Sequence, residues 1–340
     1  MEAGSKQRVA GSEQILIRGC WLFAIGCLLM AGTVQAGETE QMAAKRRQQG
    51  ILTGMPFMAN LAPRTFVDDL GRKIYLAKTP VRIVSLAPSV TEMLFAIGAG
   101  EQVVGVTQFC DYPLEAQTRP KVGYTHPNLE SIIALQPDLV VASREFIRAD
   151  VLGKFEQLKV PVFILEARTI EDVLSHIQTL GRMLDRGVAA NQVAVDMRRR
   201  IDEIRVRLNG VSPLRSLYVI NSQPLITVGP GSFIHQLIEL AGGINIAAGA
   251  TAPYPRLNME AVIKEDPEVI VFPSGNAEGI PESDQQLWRR WNMLSAVRQE
   301  RMYTISSNLL NRPGPRIVQG VEQLAKILHP EVFKADGGSR

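Results

Sequence analysis

Short apolar runs alternate with longer amphipathic stretches along most of the chain, from about residue 64 to residue 331. The apolar runs are typical of buried parallel strands, and the stretches between them have the apolar period of helices that cover a sheet. The runs lie at residues 82–86, 103–106, 139–141 and 161–165, and again at residues 216–220, 226–228, 269–271 and 302–305. This pattern predicts an α/β fold of mostly parallel sheets flanked by helices.

One segment of the pattern occurs twice, at residues 128–141 and 258–271, and the two copies match position by position. Each copy begins with an asparagine, Asn128 or Asn258, which is expected to cap a short helix. A glutamate, Glu130 or Glu260, enters the first turn, and a proline ends the helix before an apolar run. Any two helix–strand units share hydrophobic periodicity, but the matched Asn, Glu and Pro go beyond it. Two similar lobes are therefore predicted.

A long helical stretch separates the two halves of the chain. Residues 189–208 contain no Gly or Pro, so we expect one rigid helix to join the lobes. Two further amphipathic helices are expected to begin at serine caps, Ser89 and Ser232. The predicted bounds are 63–184 for the N-terminal lobe, 185–210 for the interlobe helix, 211–333 for the C-terminal lobe and 334–340 for a tail.

The first residues carry the features of an export signal. An apolar block at residues 19–32 follows Lys6, Arg8 and Arg18, and a small-residue cleavage pattern ends at Ala36. We expect a signal peptide over residues 1–36 and a flexible leader over residues 37–62, which places the protein in the periplasm. An uncleaved membrane anchor and a lipoprotein attached through Cys27 are the alternatives.

Composition excludes several classes of function. The chain has 340 residues and a net charge of +3, and its acidic and basic residues are interspersed, which is not the pattern of a nucleic-acid-binding protein. Removal of the signal would leave Cys110 alone, so no disulfide or thiol redox centre is expected, and Cys110 itself fits an inert thiol. The four His residues are scattered, so no resident metal or cofactor is expected.

Aromatic residues are the main candidates for ligand contact. Those at or after strand ends are Phe109, Tyr112, Tyr124 and Phe146 in the first lobe and Tyr254 in the second. Ligands of α/β sheets bind beyond the carboxyl ends of strands, so these rings are expected to line a cleft that suits a large, flat, partly apolar ligand. Tyr124 and His126 lie in a loop before a helix, where they are either solvated or able to ligate a bound metal compound.

Six segments together resemble the periplasmic substrate-binding proteins of ABC importers for iron-siderophores, heme and vitamin B12, and within that group the cobalamin-binding branch is most similar. The segments are RIVSLAPSVTE at 82–92, CDYP at 110–113, NLE at 128–130, QPDLV at 136–140, GPGSF at 229–233 and RPGPR at 312–316. The resemblance implies two α/β lobes joined by one long helix, the helical-backbone metal-receptor type of fold. It also implies a monomeric binding protein rather than an enzyme, which delivers its ligand to a permease dimer and its ATPase.

The resemblance gives the two repeated glutamates a role. In that family one exposed glutamate on each lobe docks against arginines of the permease, and Glu130 and Glu260 match those positions. A symmetric pair of carboxylates independently suits a permease dimer with two equivalent basic sites. The alternative is that both residues are only favourable first-turn acids.

The same resemblance implies the ligand contacts. Phe109, Tyr124 and Tyr254 match aromatic positions of the cobalamin-binding relatives, and His126, Arg256 and Arg312 are further candidate ligand contacts. Ser143 and Ile220 stand where cobalamin-binding relatives carry aromatics, so heme and ferric siderophores stay open as ligands. Heme would use Tyr124 or His126 as an axial ligand, and an anionic siderophore would use arginines drawn from Arg144, Arg148, Arg256 and Arg312.

A third hypothesis comes from another class of protein. An exported α/β enzyme would place its catalytic groups in the loops of the first lobe, at Asp111, His126 and Glu130. A close Asp–His pair in the cleft would favour this hypothesis, and a solvent-facing Glu130 would argue against it.

Overall fold

The computed structural model describes residues 63–124, 127–275 and 279–334. The predicted signal peptide and leader, His126, and the tail from residue 335 lie outside the described residues. Within the described part, no helix combines the length and apolar character that crossing a bilayer requires.

The first lobe is a four-stranded parallel sheet with a small antiparallel hairpin beside it. The hairpin pairs β1 (Arg64–Val67) with β2 (Lys73–Leu76). The sheet has the order β4-β3-β5-β6, formed by β3 (Ile83–Ser85), β4 (Val103–Val106), β5 (Leu139–Ser143) and β6 (Val162–Leu165). Its helices are α1 (Pro88–Ala96), α2 (Leu114–Gln117), α3 (Leu129–Ala134), α4 (Ala149–Gln157) and α5 (Ile170–Met183).

The second lobe has a five-stranded sheet that is parallel except for one strand. The central strand β7 (Leu214–Ser222) pairs in parallel with β9 (Gly243–Asn245) and β10 (Val269–Ser274), and β10 pairs with β11 (Met302–Ser306). Strand β8 (Leu225–Thr227) returns antiparallel along the end of β7. After the interlobe helix α6 (Gly187–Arg207), the helices are α7 (Phe233–Leu240), α8 (Met259–Glu265), α9 (Glu282–Leu287), α10 (Ser295–Arg298), α11 (Ser307–Leu310), α12 (Ile317–Leu328) and α13 (Pro330–Phe333). The predicted fold class is confirmed.

One long helix, α6 (Gly187–Arg207), runs between the lobes. Its 21 residues span about 31 Å at the usual rise per residue. The buried positions Ala190, Ala194, Met197, Ile201 and Ile204 recur every three or four residues, so one stripe of the helix faces the interior. This stripe packs against α1 and α5 of the first lobe and against α7 and α12 of the second. One continuous hydrophobic cluster therefore extends through both lobes.

The helix starts and ends follow the repeated sequence pattern. Asn128 accepts a hydrogen bond from the Ser131 backbone N–H at 2.9 Å, and Asn258 accepts one from the Ala261 N–H at 2.8 Å, so both predicted caps are confirmed. After each helix the chain passes through a left-handed residue, at φ +47° for Gln136 and +41° for Asp266. Because these two residues are also equivalent in the repeat, the two copies share a backbone path as well as a sequence.

The two predicted serine caps have different outcomes. Ser232 accepts a hydrogen bond from the His235 N–H at 3.3 Å and caps α7 as expected. The prediction for Ser89 was wrong, because α1 begins one residue earlier at Pro88 and Ser89 lies inside the first turn. A proline lacks the N–H that a cap would satisfy and has a helical φ, so it starts the helix instead. Strand β9, only three residues long, was not predicted.

The close contact between α5 and α6 gives a stability prediction. A Cβ added to Gly181 would lie 2.3 Å from the Cβ of Ala190, whereas a Cβ added to Gly187 would meet nothing within 4 Å. Gly181→Ala is therefore expected to lower the free energy of unfolding by about 2 kcal/mol through overpacking. Gly187→Ala, the matched control, is expected to leave it unchanged or raise it by up to about 1 kcal/mol. Urea unfolding of both variants measures the difference, and equal stabilities would contradict this account of the helix contact.

Candidate functional site

The carboxyl ends of the first-lobe strands carry the predicted ligand-contact loops. Residues 120–122 run beside the end of β4, where the Val122 N–H donates to the Val106 carbonyl at 3.0 Å and the Val106 N–H donates to Pro120. Val106 and Lys121 accordingly pair in parallel. This short extension of the sheet brings Tyr124 next to the loop that follows β4, which carries Phe109.

Three aromatic rings from separate segments form one cluster at this edge. The Phe109 and Tyr124 rings meet edge to face with centroids 4.5 Å apart, and the Tyr124 and Phe146 rings lie 4.8 Å apart. All three side chains are half-buried. Phe146 belongs to a short 3-10 helix, Arg144–Phe146, directly after β5. The cluster is therefore a partly exposed aromatic wall, which we call the ring cluster (Phe109, Tyr124 and Phe146).

Tyr254 stands on the second lobe in a segment that runs along β8. The Leu257 N–H donates to Leu225 and the Thr227 N–H donates to Pro255, which fixes this segment on the sheet edge. Its side chain is 51% exposed. Burial of the hydroxyl and the nearby carboxylate of Glu145 raise the pKa of Tyr254. Because Glu145 adjoins Phe146 on the first lobe, Tyr254 lies within electrostatic range of the segment that carries Phe146.

The remaining predicted contact residues have different settings. Arg256 is exposed on the same segment as Tyr254, and Arg144 is exposed after β5. Arg148 is exposed and pairs with Asp150 at 3.0 Å. Tyr112 does not join the ring cluster, since its ring packs under the Arg316 guanidinium, 4.1 Å from the centroid. Their contact with a ligand stays a prediction.

The two positions that lack an aromatic lie on strands of separate lobes. Ser143 is buried at the end of β5, and Ile220 is half-buried near the end of β7. With a hydroxymethyl and an aliphatic side chain there, the walls present less ring surface at these positions than an aromatic pair would.

A network of charged side chains crosses between the lobes beside the ring cluster. Glu92 of α1 is buried and receives two hydrogen bonds from Arg316, from Nε at 2.9 Å and from Nη2 at 2.6 Å. Arg312 donates from Nη1 and Nη2 to the two carboxylate oxygens of Asp111, at 2.5 and 3.3 Å. Its Nη1 also lies 3.6 Å from Oε1 of Glu92. We call these four residues the interlobe network.

The pKa values of the two carboxylates in this network are shifted in opposite directions from their ordinary values. Burial raises the pKa of Glu92 above its ordinary value, although hydrogen bonds from Arg316 and the charges of both arginines act against that rise. Burial also acts on Asp111, but hydrogen bonds and charge from Arg312 outweigh it and lower the pKa of Asp111. Asp111 is therefore ionised at neutral pH, where it holds Arg312 by two charge-assisted hydrogen bonds.

Sequence reasoning named Arg312 and Asp111 but missed Glu92 and Arg316. A signal was present, because Glu92 is the one charged residue in a mostly apolar helical stretch, SVTEMLFAI at 89–97, where a charged side chain requires a partner. The partner could not be read from the same stretch, since Arg316 lies 224 residues away.

The proposed catalytic trio is not assembled in the described residues. Asp111 is occupied by Arg312, Glu130 is exposed in the first turn of α3, and His126 lies outside the described part. The same part holds no group of three or more side chains that could bind a metal ion. Cys110 is buried between the hydroxyls of Thr91 and Thr107, each 3.1 Å from Sγ, and burial raises the pKa of its thiol.

Glu130 and Glu260 occupy equivalent surface positions on the two lobes. Each lies one residue into a short helix behind its asparagine cap, in α3 and α8 respectively. Both side chains are exposed. The structure therefore presents two carboxylates in the same local setting, one on each lobe.

Comparison with known proteins shows that the chain matches a protein family. The family model described as "Periplasmic binding protein" matches residues 83–309. A vitamin B12-binding protein of Vibrio parahaemolyticus is 34% identical over 254 residues, which cover 74% of this chain and 90% of the relative. An ABC transporter substrate-binding lipoprotein of Bacillus subtilis is 29% identical over 327 residues, which cover 93% of this chain and 98% of the relative.

Solved structures of proteins named for different ligands have the same fold. The periplasmic vitamin B12 binding protein of Vibrio cholerae superposes with a TM-score of 0.66 at 30% identity, covering 75% of this chain and 99% of that protein. A periplasmic heme-binding protein from Roseiflexus superposes with a TM-score of 0.66 at 25% identity, covering 74% and 98%. The fold is therefore shared by binders of both tetrapyrrole-derived compounds.

Proposed function

Because the chain belongs to the periplasmic binding protein family, whose model matches residues 83–309, we propose that it captures cobalamin or a related corrinoid between its lobes and delivers it to an ABC permease. Members of this family bind a substrate outside the cytoplasm and present it to a transporter. The family assignment therefore covers the class of protein, and the corrinoid is the proposed ligand. No covalent step is needed for capture and release.

The observation that carries the corrinoid proposal is the ring cluster of the first lobe, to which the second lobe adds Tyr254 within electrostatic range of Glu145. A corrinoid offers a broad, partly apolar face whose burial against aromatic rings is favourable, and its polar edge suits tyrosine hydroxyls. Phe109, Tyr124 and Phe146 supply one wall in adjacent positions. Vitamin B12-binding relatives at 34% and 30% identity support the same ligand.

Delivery is proposed to run through Glu130 and Glu260. Each is exposed at the start of a helix and has an equivalent partner on the other lobe. Two like carboxylates on a two-lobed protein fit two equivalent basic sites on a permease dimer, which would orient the bound protein by charge.

Heme is the second candidate ligand, favoured by the heme-binding structural neighbour at 25% identity. Tyr124 has a phenol oxygen in the aromatic wall, where it would serve as the axial ligand of the iron. His126, the other predicted axial ligand, lies outside the described residues.

Titration of the purified protein with cyanocobalamin and with hemin, followed by calorimetry and visible absorption, tests the proposal. One-to-one binding of cyanocobalamin is expected, and Tyr124→Ala is expected to weaken it about tenfold or more through loss of ring contact. Tyr75→Ala, which removes an exposed ring on β2, is the matched control and leaves affinity unchanged. A shifted Soret band with hemin and no cyanocobalamin binding would move the assignment to heme.

A further inference from the structure

Arg312 of the second lobe has its guanidinium already paired with a carboxylate of the first lobe. Asp111, its partner, follows Phe109 by two residues in the loop after β4, so the pair lies next to the aromatic wall. The Arg312 side chain is 11% exposed, and the Asp111 side chain is 43% exposed. Asn308 of α11 donates to Asp111 as well, at 3.4 Å. The Arg312 guanidinium is therefore already engaged by a carboxylate of the protein itself.

The interlobe network is balanced in charge as well as in hydrogen bonds. It contains two carboxylates, Glu92 and Asp111, and two guanidinium groups, Arg312 and Arg316. A charged ligand group placed against it would either break the Asp111–Arg312 pair or approach the half-exposed Asp111 carboxylate. Either case is unfavourable for an anion. Breaking the pair leaves the Asp111 carboxylate without its arginine, and approaching Asp111 brings two negative charges together.

We propose that Asp111 is a positioning residue for ligand selectivity: it holds Arg312 in the interlobe network, so Arg312 is withheld from anionic metal chelates and ligands without negative charge are favoured at this position. The inference rests on the proposed function, since it takes the ligand to lie against the ring cluster. Asp111 would thus favour a neutral ligand by pairing with Arg312 and not by contacting the rings of the ligand itself.

The variant Asp111→Asn tests this in the full-length protein. It keeps the shape of the side chain but removes the charge, which frees Arg312 to pair with an anion. The probes are cyanocobalamin, which is neutral overall, and ferric enterobactin, a trianionic chelate. The ratio of association constants, ferric enterobactin over cyanocobalamin, is expected to rise about tenfold or more relative to the parent protein.

Two further variants separate charge from structure. Asp111→Glu keeps the carboxylate and is expected to retain the parent ratio. The double variant Asp111→Asn/Arg312→Gln is expected to lose the gain, because the gain comes from the freed guanidinium. Glu322→Gln is the matched control: it frees Arg200, whose Nε and Nη2 each donate to Glu322 at 2.8 Å between α6 and α12, and it leaves the ratio unchanged.

The outcomes decide between the two proposals. An unchanged ratio in Asp111→Asn, or a gain that persists in the double variant, would overturn the selectivity role. If Asp111→Asn does not fold by circular dichroism, Asp111→Ser replaces it with the same expectation. A parent protein that fails to bind cyanocobalamin overturns the corrinoid proposal instead. In that case the gain in ferric enterobactin binding on loss of Asp111 still tests the selectivity role.

Discussion

Replacing both Glu130 and Glu260 with alanine is expected to reduce ligand uptake to background while the affinity of the purified protein for its ligand stays unchanged. The two carboxylates are exposed on separate lobes and lie outside the ring cluster. Losing one partner of a docked charge pair costs about 2–5 kcal/mol, so each single variant is expected to lower uptake at least about tenfold. Uptake of labelled cyanocobalamin by liposomes that hold the permease and its ATPase measures the effect.

The control for the docking variants is a second pair of first-turn acids. Glu115 lies in the first turn of α2 in the first lobe and Glu282 in the first turn of α9 in the second, and both are exposed. Glu115→Ala/Glu282→Ala changes the net charge by the same amount and is expected to transport at the parent rate. Equal loss in both double variants would show a general charge effect, and loss of ligand binding in Glu130→Ala/Glu260→Ala would refute the docking role.

The second large effect concerns the interlobe network. Arg316→Met is expected to lower the free energy of unfolding by about 3 kcal/mol, because it leaves the buried Glu92 without its two-bond partner. Arg312 remains 3.6 Å from Glu92 and limits the loss. Urea unfolding at fixed pH measures it. The matched control is Arg200→Met, which breaks the partly exposed Arg200–Glu322 pair between α6 and α12. It is expected to lower the free energy of unfolding by less than about 1 kcal/mol.

The pH dependence of the Arg316 variant follows from Glu92. The pKa of Glu92 is already raised by burial, and loss of Arg316 removes one of the charges that opposes the rise. Above the ordinary glutamate value the folded state then binds more protons than the unfolded state, so stability falls as pH rises. The deficit of Arg316→Met is therefore expected to be larger at pH 7.5 than at pH 5.5. A deficit that is equal at both pH values, or that is removed by salt, would contradict an uncompensated buried carboxylate.

Much of the local structure could be predicted because its causes are local. Strands and helices could be recognised from their different apolar periods. Helix starts could be predicted because a capping side chain lies only a few residues from the backbone N–H from which it accepts a hydrogen bond, as Asn128 and Asn258 show. The wrong prediction at Ser89 has a local cause too, since Pro88 took the first helical position. The short strand β9 was missed because three residues carry too little period to be recognised.

The sequence by itself determined the two-lobed α/β fold, the long helix between the lobes and the repeated glutamates, because all of these follow from periodicity and from spacing within one segment. Tertiary structure alone decided which distant side chains meet. Phe109, Tyr124 and Phe146 become one wall only when residues 120–122 pair with β4. Asp111 meets Arg312 across 201 residues, and Glu92 meets Arg316 across 224. Such pairs have no local period or cap to mark them, because they depend on how the two lobes pack around α6.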